Sequence, residues 1–246
     1  MLSATIITLN EQKDLPRCLT SLKGWVDEIV VVDCGSIDKT VEIAKEFGAK
    51  VYLHVFDNYA TQKNYAKDKT TQDWILSIDA DEEIEKELAK EIINEIQSPK
   101  YDSYSIPRKN IIFGKLIKHT RWDPELDRHV WLWKKDKGKW SGDVHEEVVV
   151  DGAVGKLINA KIHHQYENVS EFLNMMNRYS DIDSKEMIAN GRKFRLLQLF
   201  GQPVYNFLVR YFYRLGFLDG WRGLVLSYLM AVYHFNLWVK VWYGKK

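Results

Sequence analysis

Four short apolar runs, at residues 4–9, 28–33, 50–56 and 74–79, alternate with segments whose apolar side chains recur at helical spacing. Leu15, Leu19 and Leu22 form one such face; Val41, Ala44 and Phe47 form another, opened by Asp38 and closed by Gly48. Residues 58–67 carry a further short helical pattern before the fourth run. A strand that is apolar at nearly every position is buried on both faces. Strand–helix alternation with short links therefore predicts a parallel sheet covered by helices. In such sheets ligands bind beyond the carboxyl ends of the strands. Asn10, Asp33 and Asp79 each sit at such an end, so a site is expected along that edge.

The fourth run breaks into Asp79-Ala80-Asp81-Glu82-Glu83. Two chemistries suit this cluster. Carboxylates cap helices and stabilise their first turn. They also hold Mg²⁺ or Mn²⁺, which fill their remaining positions with water or phosphate oxygens. Alignment with the other two polar strand ends favours a metal–diphosphate holder over a cap.

Beyond Ser98-Pro99 the pattern changes to short strands at 101–106, 111–117, 129–134 and 148–150, with turns at Gly114, Asp136-Lys137-Gly138 and Asp151-Gly152. Residues 169–190 read as an amphipathic helix with Phe172, Met175, Met176 and Tyr179 facing inward. Helices are expected to begin at Pro203 and Gly220. The chain thus divides into residues 1–98, 99–191 and a tail, 192–246. That tail carries nine Lys/Arg against Asp219 alone, a net +8, which leaves −7 for the remainder of a chain of net charge +1. It also holds 15 of the 32 aromatic residues, a composition suited to an anionic membrane interface rather than nucleic acid. The apolar stretch at 224–233 falls short of the roughly 20 residues a spanning helix needs. Two arrangements stay open: a tail lying on a bilayer, or a helical hairpin packed on the domain or on a second copy. Cys18 and Cys34 are too few for a disulfide framework or a zinc site, and no secretory leader pattern precedes the first strand; a cytoplasmic protein is expected.

Three segments occur together in order: Thr5-Ile6-Ile7-Thr8-Leu9-Asn10-Glu11, Val31-Val32-Asp33-Cys34-Gly35-Ser36-Ile37-Asp38-Lys39-Thr40 and Ser77-Ile78-Asp79-Ala80-Asp81-Glu82. Their combination resembles family 2 glycosyltransferases. The narrower likeness is to bacterial lipopolysaccharide inner-core β-1,4-glucosyltransferases. It rests on Gln62-Lys63-Asn64, Pro107-Arg108-Lys109-Asn110, Val144-His145-Glu146, His163 and Gly216-Phe217-Leu218-Asp219-Gly220. Cys34 and Ile37 depart from that pattern, where Ser and Thr are usual.

The resemblance implies a GT-A fold, an α/β, Rossmann-like and mostly parallel sheet, with a small antiparallel acceptor-side sheet and a helical, membrane-associating extension. It implies a UDP-sugar donor, a divalent cation (Mg²⁺ or Mn²⁺) and inverting transfer of a hexose, glucose by analogy, to a heptose of the lipopolysaccharide core. Asp33 would then bond the uracil, with Thr8, Asn10 and Glu11 lining the nucleotide pocket. Lys63 would offset diphosphate charge, Asp79 would meet ribose or metal, Asp81 would bind the metal, and His163 would be a third ligand.

Inverting transfer also needs a carboxylate to take the acceptor's proton. Glu146 is the expected base. Asp143, His145, Glu147 and Arg108 would support it or the acceptor. If residues 147–150 continue a strand, only one of Glu146 and Glu147 can face the cleft. An enzyme on the cytoplasmic face of the inner membrane, with possible self-association through the last helices, is the resulting expectation. Competing readings are a polyprenyl-phosphate glycosyltransferase, an aspartate-nucleophile phosphohydrolase and a non-catalytic nucleotide-binding membrane scaffold.

Overall fold

The computed structural model describes residues 1–142 and 146–244. It separates into two compact units, residues 1–109 with 127–163, and residues 110–126 with 164 onward.

In the first unit, β1 (Leu2–Thr8) lies between β2 (Glu28–Asp33) and β4 (Trp74–Ser77), and β3 (Lys50–Leu53) extends the sheet beyond β2, all in parallel. The intervening helices are α1 (Leu15–Leu22), α2 (Thr40–Glu46) and α3 (Tyr59–Asp68). Leu15, Leu19 and Leu22 of α1 are fully buried with Ile75, Leu76 and Ile78, so the helical stripe packs where its spacing says it should. Asn58 caps α3 by accepting the Thr61 N–H. Register puts Thr8 beside Asp33, which brings the ends of β1 and β2 to one edge.

β5 (Glu82–Glu83) and α4 (Lys86–Gln97) follow the fourth strand. The later strands are β6 (Ser103–Ile112), β7 (Lys115–Ile117), β8 (Arg128–Lys134), β9 (Gly138–Ser141), β10 (Glu147–Val150), β11 (Val154–Lys156) and β12 (Lys161–Tyr166). β8 pairs antiparallel with β4 and β6 with β8, which turns the parallel sheet into a mixed one. β9 and β10 form a separate antiparallel pair, a small second sheet of the kind the resemblance implies, although β9 begins at Gly138, where the sequence pattern places a turn. The third and fourth strands are shorter than their apolar runs, ending at Leu53 and Ser77. Asp81-Glu82-Glu83 does not open a helix either. Glu82 and Glu83 pair with His163 and Ile162 of β12, and α4 begins only at Lys86. The acidic turn is thus held between two strands rather than spent on a helix cap.

The second unit contains β7 paired on the end of β6, α5 (Val169–Ala189), α6 (Leu196–Leu208) and α7 (Trp221–Tyr243). Its core gathers Ile112, Ile117, Phe172, Met176, Leu226, Met230 and Leu237. Three details differ from the sequence pattern. Tyr179 is exposed, because the buried stripe of α5 runs Phe172, Met176, Ser180, Ser184 at a four-residue step. Pro203 lies inside α6 rather than at its start. The last helix starts at Trp221, directly after Gly220, and runs 23 residues through Ser227, His234, Asn236 and Lys240. That makes it long and apolar enough to cross a membrane. Yet Leu226, Ser227, Met230, Tyr233, Leu237 and Val241 are buried along it, and Lys240 bonds Asn177 and Asp181 of α5. It serves as a core helix of its unit.

Far from the polar edge, Glu28 staples the opposite end of the parallel sheet. Its buried carboxylate accepts from Ser3 Oγ, from Lys50 Nζ at 2.7 Å and from the Thr71 N–H at 2.7 Å. Burial works against ionisation, but the bonds from Lys50, Ser3 and Thr71 outweigh it and bring the acid from 4.5 down to about 2. A depressed carboxylate stabilises the fold above its unfolded pKa, and that contribution is lost as pH falls from 4.5 towards 2. Glu28→Gln should therefore lower Tm at neutral pH and flatten the acid limb of a Tm–pH series. A variant whose curve overlays the wild type across this window would refute the staple.

Candidate active site

At the ends of β1 and β2 the loops are knitted by side chains. Asp33 is fully buried; its Oδ2 accepts from the Gly35 and Ser36 N–H groups, both at 2.8 Å, and Oδ1 accepts from Thr8 Oγ1 at 3.0 Å. Gly35 has φ +102°, a backbone only glycine adopts without strain. Asn10, itself at φ +58°, accepts the Ile37 N–H at 2.9 Å and donates its own N–H to Ser36 Oγ at 2.8 Å. The Glu11 N–H donates to Thr40 Oγ1. Thr8, Asn10, Glu11 and Asp33 are thereby brought into one rigid loop cluster.

The acidic turn is anchored from beneath. Glu82 is fully buried, and its Oε2 accepts from Lys161 Nζ at 2.6 Å and from the Asp79 N–H at 2.9 Å. Lys161 is also fully buried, 3.3 Å from the Trp131 ring centroid; burial pushes its ammonium below the ordinary value despite Glu82 and Asp79. Arg108 reaches Glu82 at 3.4 Å and grips Asp127 with two bonds of 2.9 Å. These cations set the charge on Asp79. Burial alone would raise its pKa, but Lys63, Lys161, Arg108 and His163 hold it well below the usual carboxylate range. Asp79 is an ionised acid.

Gln62-Lys63-Asn64 on α3 ties three parts together. Gln62 donates to Cys34 Sγ at 3.0 Å, and Asn64 exchanges two bonds with the Trp140 backbone at 2.8 and 3.0 Å. Between them, Lys63 Nζ lies 3.3 Å from Asp79 Oδ1, 3.0 Å from Glu146 Oε1 and 4.4 Å from the Trp140 ring centroid. The strand-end acid and the acid of the later half thus share one cation. Burial opposes its charge, yet Asp79 and Glu146 raise the Lys63 pKa. Lys63, Asp79, Arg108, Glu146 and Glu147 all line a cleft of about 410 Å³, with Trp131 and Trp140 in its wall. Glu146 and Glu147 both face it because β10 begins at Glu147, so strand alternation does not reach Glu146. Asp143 and His145 lie outside the described residues.

Asp81 Oδ2 lies 3.0 Å from His163 Nε2. Among the described residues no three His, Cys, Asp or Glu groups converge in metal-ligand geometry. The described residues alone would leave a cation under-coordinated; one that took part of its coordination from a diphosphate would suit them, because the region carries excess negative charge. Burial and the carboxylates of Asp81, Asp14, Asp38 and Asp79 raise Glu11 to about 7. A divalent cation at Asp81 would relieve that repulsion. Lys161 and Asp127 were not expected from sequence. Lys161 had one available signal, since it shares a strand face with His163 two residues on.

Residues 3–156 match the family model described as glycosyl transferase family 2. The chain belongs to that family. Over 245 residues it is 32% identical to an uncharacterized glycosyltransferase of Rickettsia felis, spanning 95% of this chain and 87% of that one. It is 29% identical over 247 residues to the lipopolysaccharide core biosynthesis glycosyltransferase LpsC of Rhizobium meliloti, spanning 94% and 90%. Among solved structures, residues 1–349 of S. aureus TarS in complex with UDP-GlcNAc align at a TM-score of 0.49 and 15% identity, covering 99% of this chain and 91% of that one.

In this family member the Glu82–Lys161 pair underlies the acidic turn. Glu82→Gln would leave the Lys161 ammonium buried without its counter-charge, a loss of about 3–5 kcal/mol. Denaturant unfolding should read this directly; a variant within about 1 kcal/mol of wild type would show that the pair does not anchor the turn.

Proposed function

We propose that the chain is an inverting, divalent-metal-dependent hexosyltransferase that moves a sugar, glucose being the first candidate, from a UDP donor to a lipopolysaccharide core saccharide. The observation that carries the reading is Lys63, bonded at once to Asp79 and Glu146 across the cleft. The Thr8–Glu11 and Asp33–Ser36 loops would receive the nucleoside. Lys63 would turn part of its charge to the diphosphate, as a lysine point charge does. Asp81, with Asp79 and His163 beside it, would hold Mg²⁺ or Mn²⁺, which when bound neutralises charge on the leaving diphosphate. Glu146 takes the proton of the acceptor hydroxyl as its oxygen bonds to the anomeric carbon. The bond from that carbon to the diphosphate oxygen breaks on the opposite side, so configuration inverts and UDP departs. Trp131 and Trp140, in the wall of the cleft, back the cations Lys161 and Lys63, and Arg108 and Arg128 suit an acceptor bearing phosphate or carboxylate. The relationship to LpsC supports the saccharide acceptor.

Purified protein supplied with a panel of nucleotide-sugars and Mg²⁺ or Mn²⁺ should hydrolyse one UDP-sugar slowly, and Asp81→Asn should abolish this. Glu146→Gln should leave donor binding intact and slow transfer by roughly 10²–10⁴-fold. Unchanged transfer would remove Glu146 as base and point to an acceptor already ionised, such as a polyprenyl phosphate.

Attachment to the cytoplasmic face of a membrane belongs to the same reading. No residue of α6 is buried, and Leu197 and Phe200 are 84% and 60% exposed. Because α7 is core, removing the whole tail would destroy its unit. The double variant Leu197→Glu with Phe200→Glu is the cleaner probe. It should shift the protein from sedimenting with membranes to the supernatant; sedimentation equal to wild type would contradict attachment through α6.

A further inference from the structure

The second unit holds a buried guanidinium that rests on an indole ring but, among the described residues, has two nitrogens without a hydrogen-bond acceptor. Arg210 is 7% exposed, and among the described residues its Nε and Nη1 are buried without a hydrogen-bond partner. Arg214 Nε and His234 Nδ1 are buried and unpartnered in the same unit. Uncompensated buried charge is expensive, and native proteins keep it where something arrives to pair it.

The surroundings are built. Arg210 belongs to a five-residue π-helical segment, Val209–Tyr213, that interrupts the chain after α6; such turns concentrate at functional sites. Asp219 accepts the N–H groups of Lys118 and His119 at 3.1 and 3.0 Å, and the Thr120 N–H donates to Arg214 O. A Cβ on Gly216 would meet Arg210 O at 2.7 Å, so only glycine lets the two turns approach this closely. The Gly216–Gly220 motif therefore pins the 118–122 loop onto the π-helical turn. As a result the Trp122 ring lies 5.2 Å beneath the Arg210 guanidinium, and Arg121 repels both Arg210 and His234. Burial, Arg210 and Arg121 push His234 down to about 4, so its imidazole adds no counter-charge. Three acids of this unit are engaged elsewhere: Asp183 with Tyr233, Asp181 with Lys240, Asp219 with His119.

We propose that Arg210, with Arg121 and the Trp122 ring, forms a binding site for a phosphate group, distinct from the diphosphate site in the first unit. Planar guanidinium donors match phosphate oxygens, and a bound dianion would satisfy the orphaned N–H groups while cancelling the repulsion with Arg121. Phe212 and Tyr213, two and three residues after Arg210, are 55% and 76% exposed. Apolar groups beside the charge suit a phosphate carried by a lipid, and the test separates that source from a soluble one.

Full-length protein is titrated with inorganic phosphate, and separately with phosphatidylcholine vesicles with and without phosphatidic acid. Tm and vesicle co-sedimentation are followed for wild type, Arg210→Met and Arg121→Gln. Wild type should gain Tm with phosphate or bind the phosphatidic acid vesicles selectively; response to the vesicles alone identifies a lipid headgroup, and response to phosphate alone a soluble ligand. Arg210→Met should keep or raise Tm in phosphate-free buffer, because a buried unpaired charge is gone, and should lose the response at least about tenfold. Arg121→Gln, at an exposed position, should weaken it several-fold. UDP-sugar hydrolysis by Arg210→Met should match wild type, which keeps this site separate from the transfer chemistry. No response in wild type, an unchanged response in Arg210→Met, or a fall in its phosphate-free Tm would overturn the assignment, the last by showing that the guanidinium is structural.

Discussion

A buried ion pair sets the geometry of the site. Glu82 and Lys161 meet at 2.6 Å with no exposure to solvent, and the same carboxylate holds the backbone of Asp79. Taking two charges out of water is costly, and the pair persists only because Arg108, the Asp79 N–H and the Trp131 face satisfy its remaining valences. Its product is position. β4 cannot run on past Ser77, the turn that follows is fixed, and Asp79 and Asp81 leave it as acids rather than as helix caps.

From that turn the charges proceed outward in alternating sign. Lys161, Arg108 and Lys63 hold Asp79 ionised; Asp79 and Glu146 hold Lys63 charged; the acids at Asp81, Asp79, Asp14 and Asp38 in turn raise Glu11. Negative charge is in surplus around Glu11 and Asp81, and the positive charge sits at Lys63 in the cleft. The proposed metal–diphosphate would complement both, the cation relieving one side and the phosphates engaging the other.

The parallel half of the fold was legible because burial on both strand faces leaves few polar choices, so Asn10, Asp33 and Asp79 stood out as strand ends. Gln62-Lys63-Asn64 was recognisable as a motif, but its work was hidden. Its three side chains act on residues 28, 83 and 76 positions away in sequence, and no local pattern encodes such pairings. Lys161 was hidden for a similar reason, its partner being 79 positions distant. For the tail, composition alone did not choose between surface and core. Its basic and aromatic content left a bilayer-lying tail and a packed hairpin both open, and Leu226, Met230, Tyr233 and Leu237 at steps of three and four form a core stripe.

The central claim is that the acidic turn and Lys63 together receive a nucleotide diphosphate through a divalent cation. Calorimetric titration of UDP into the full-length protein, with Mg²⁺ and then with chelator, tests it most directly. The account predicts saturable binding that requires the cation, disappears in Asp81→Asn and weakens in Lys63→Met. Binding of equal strength without the cation, or undiminished in Asp81→Asn, would contradict it.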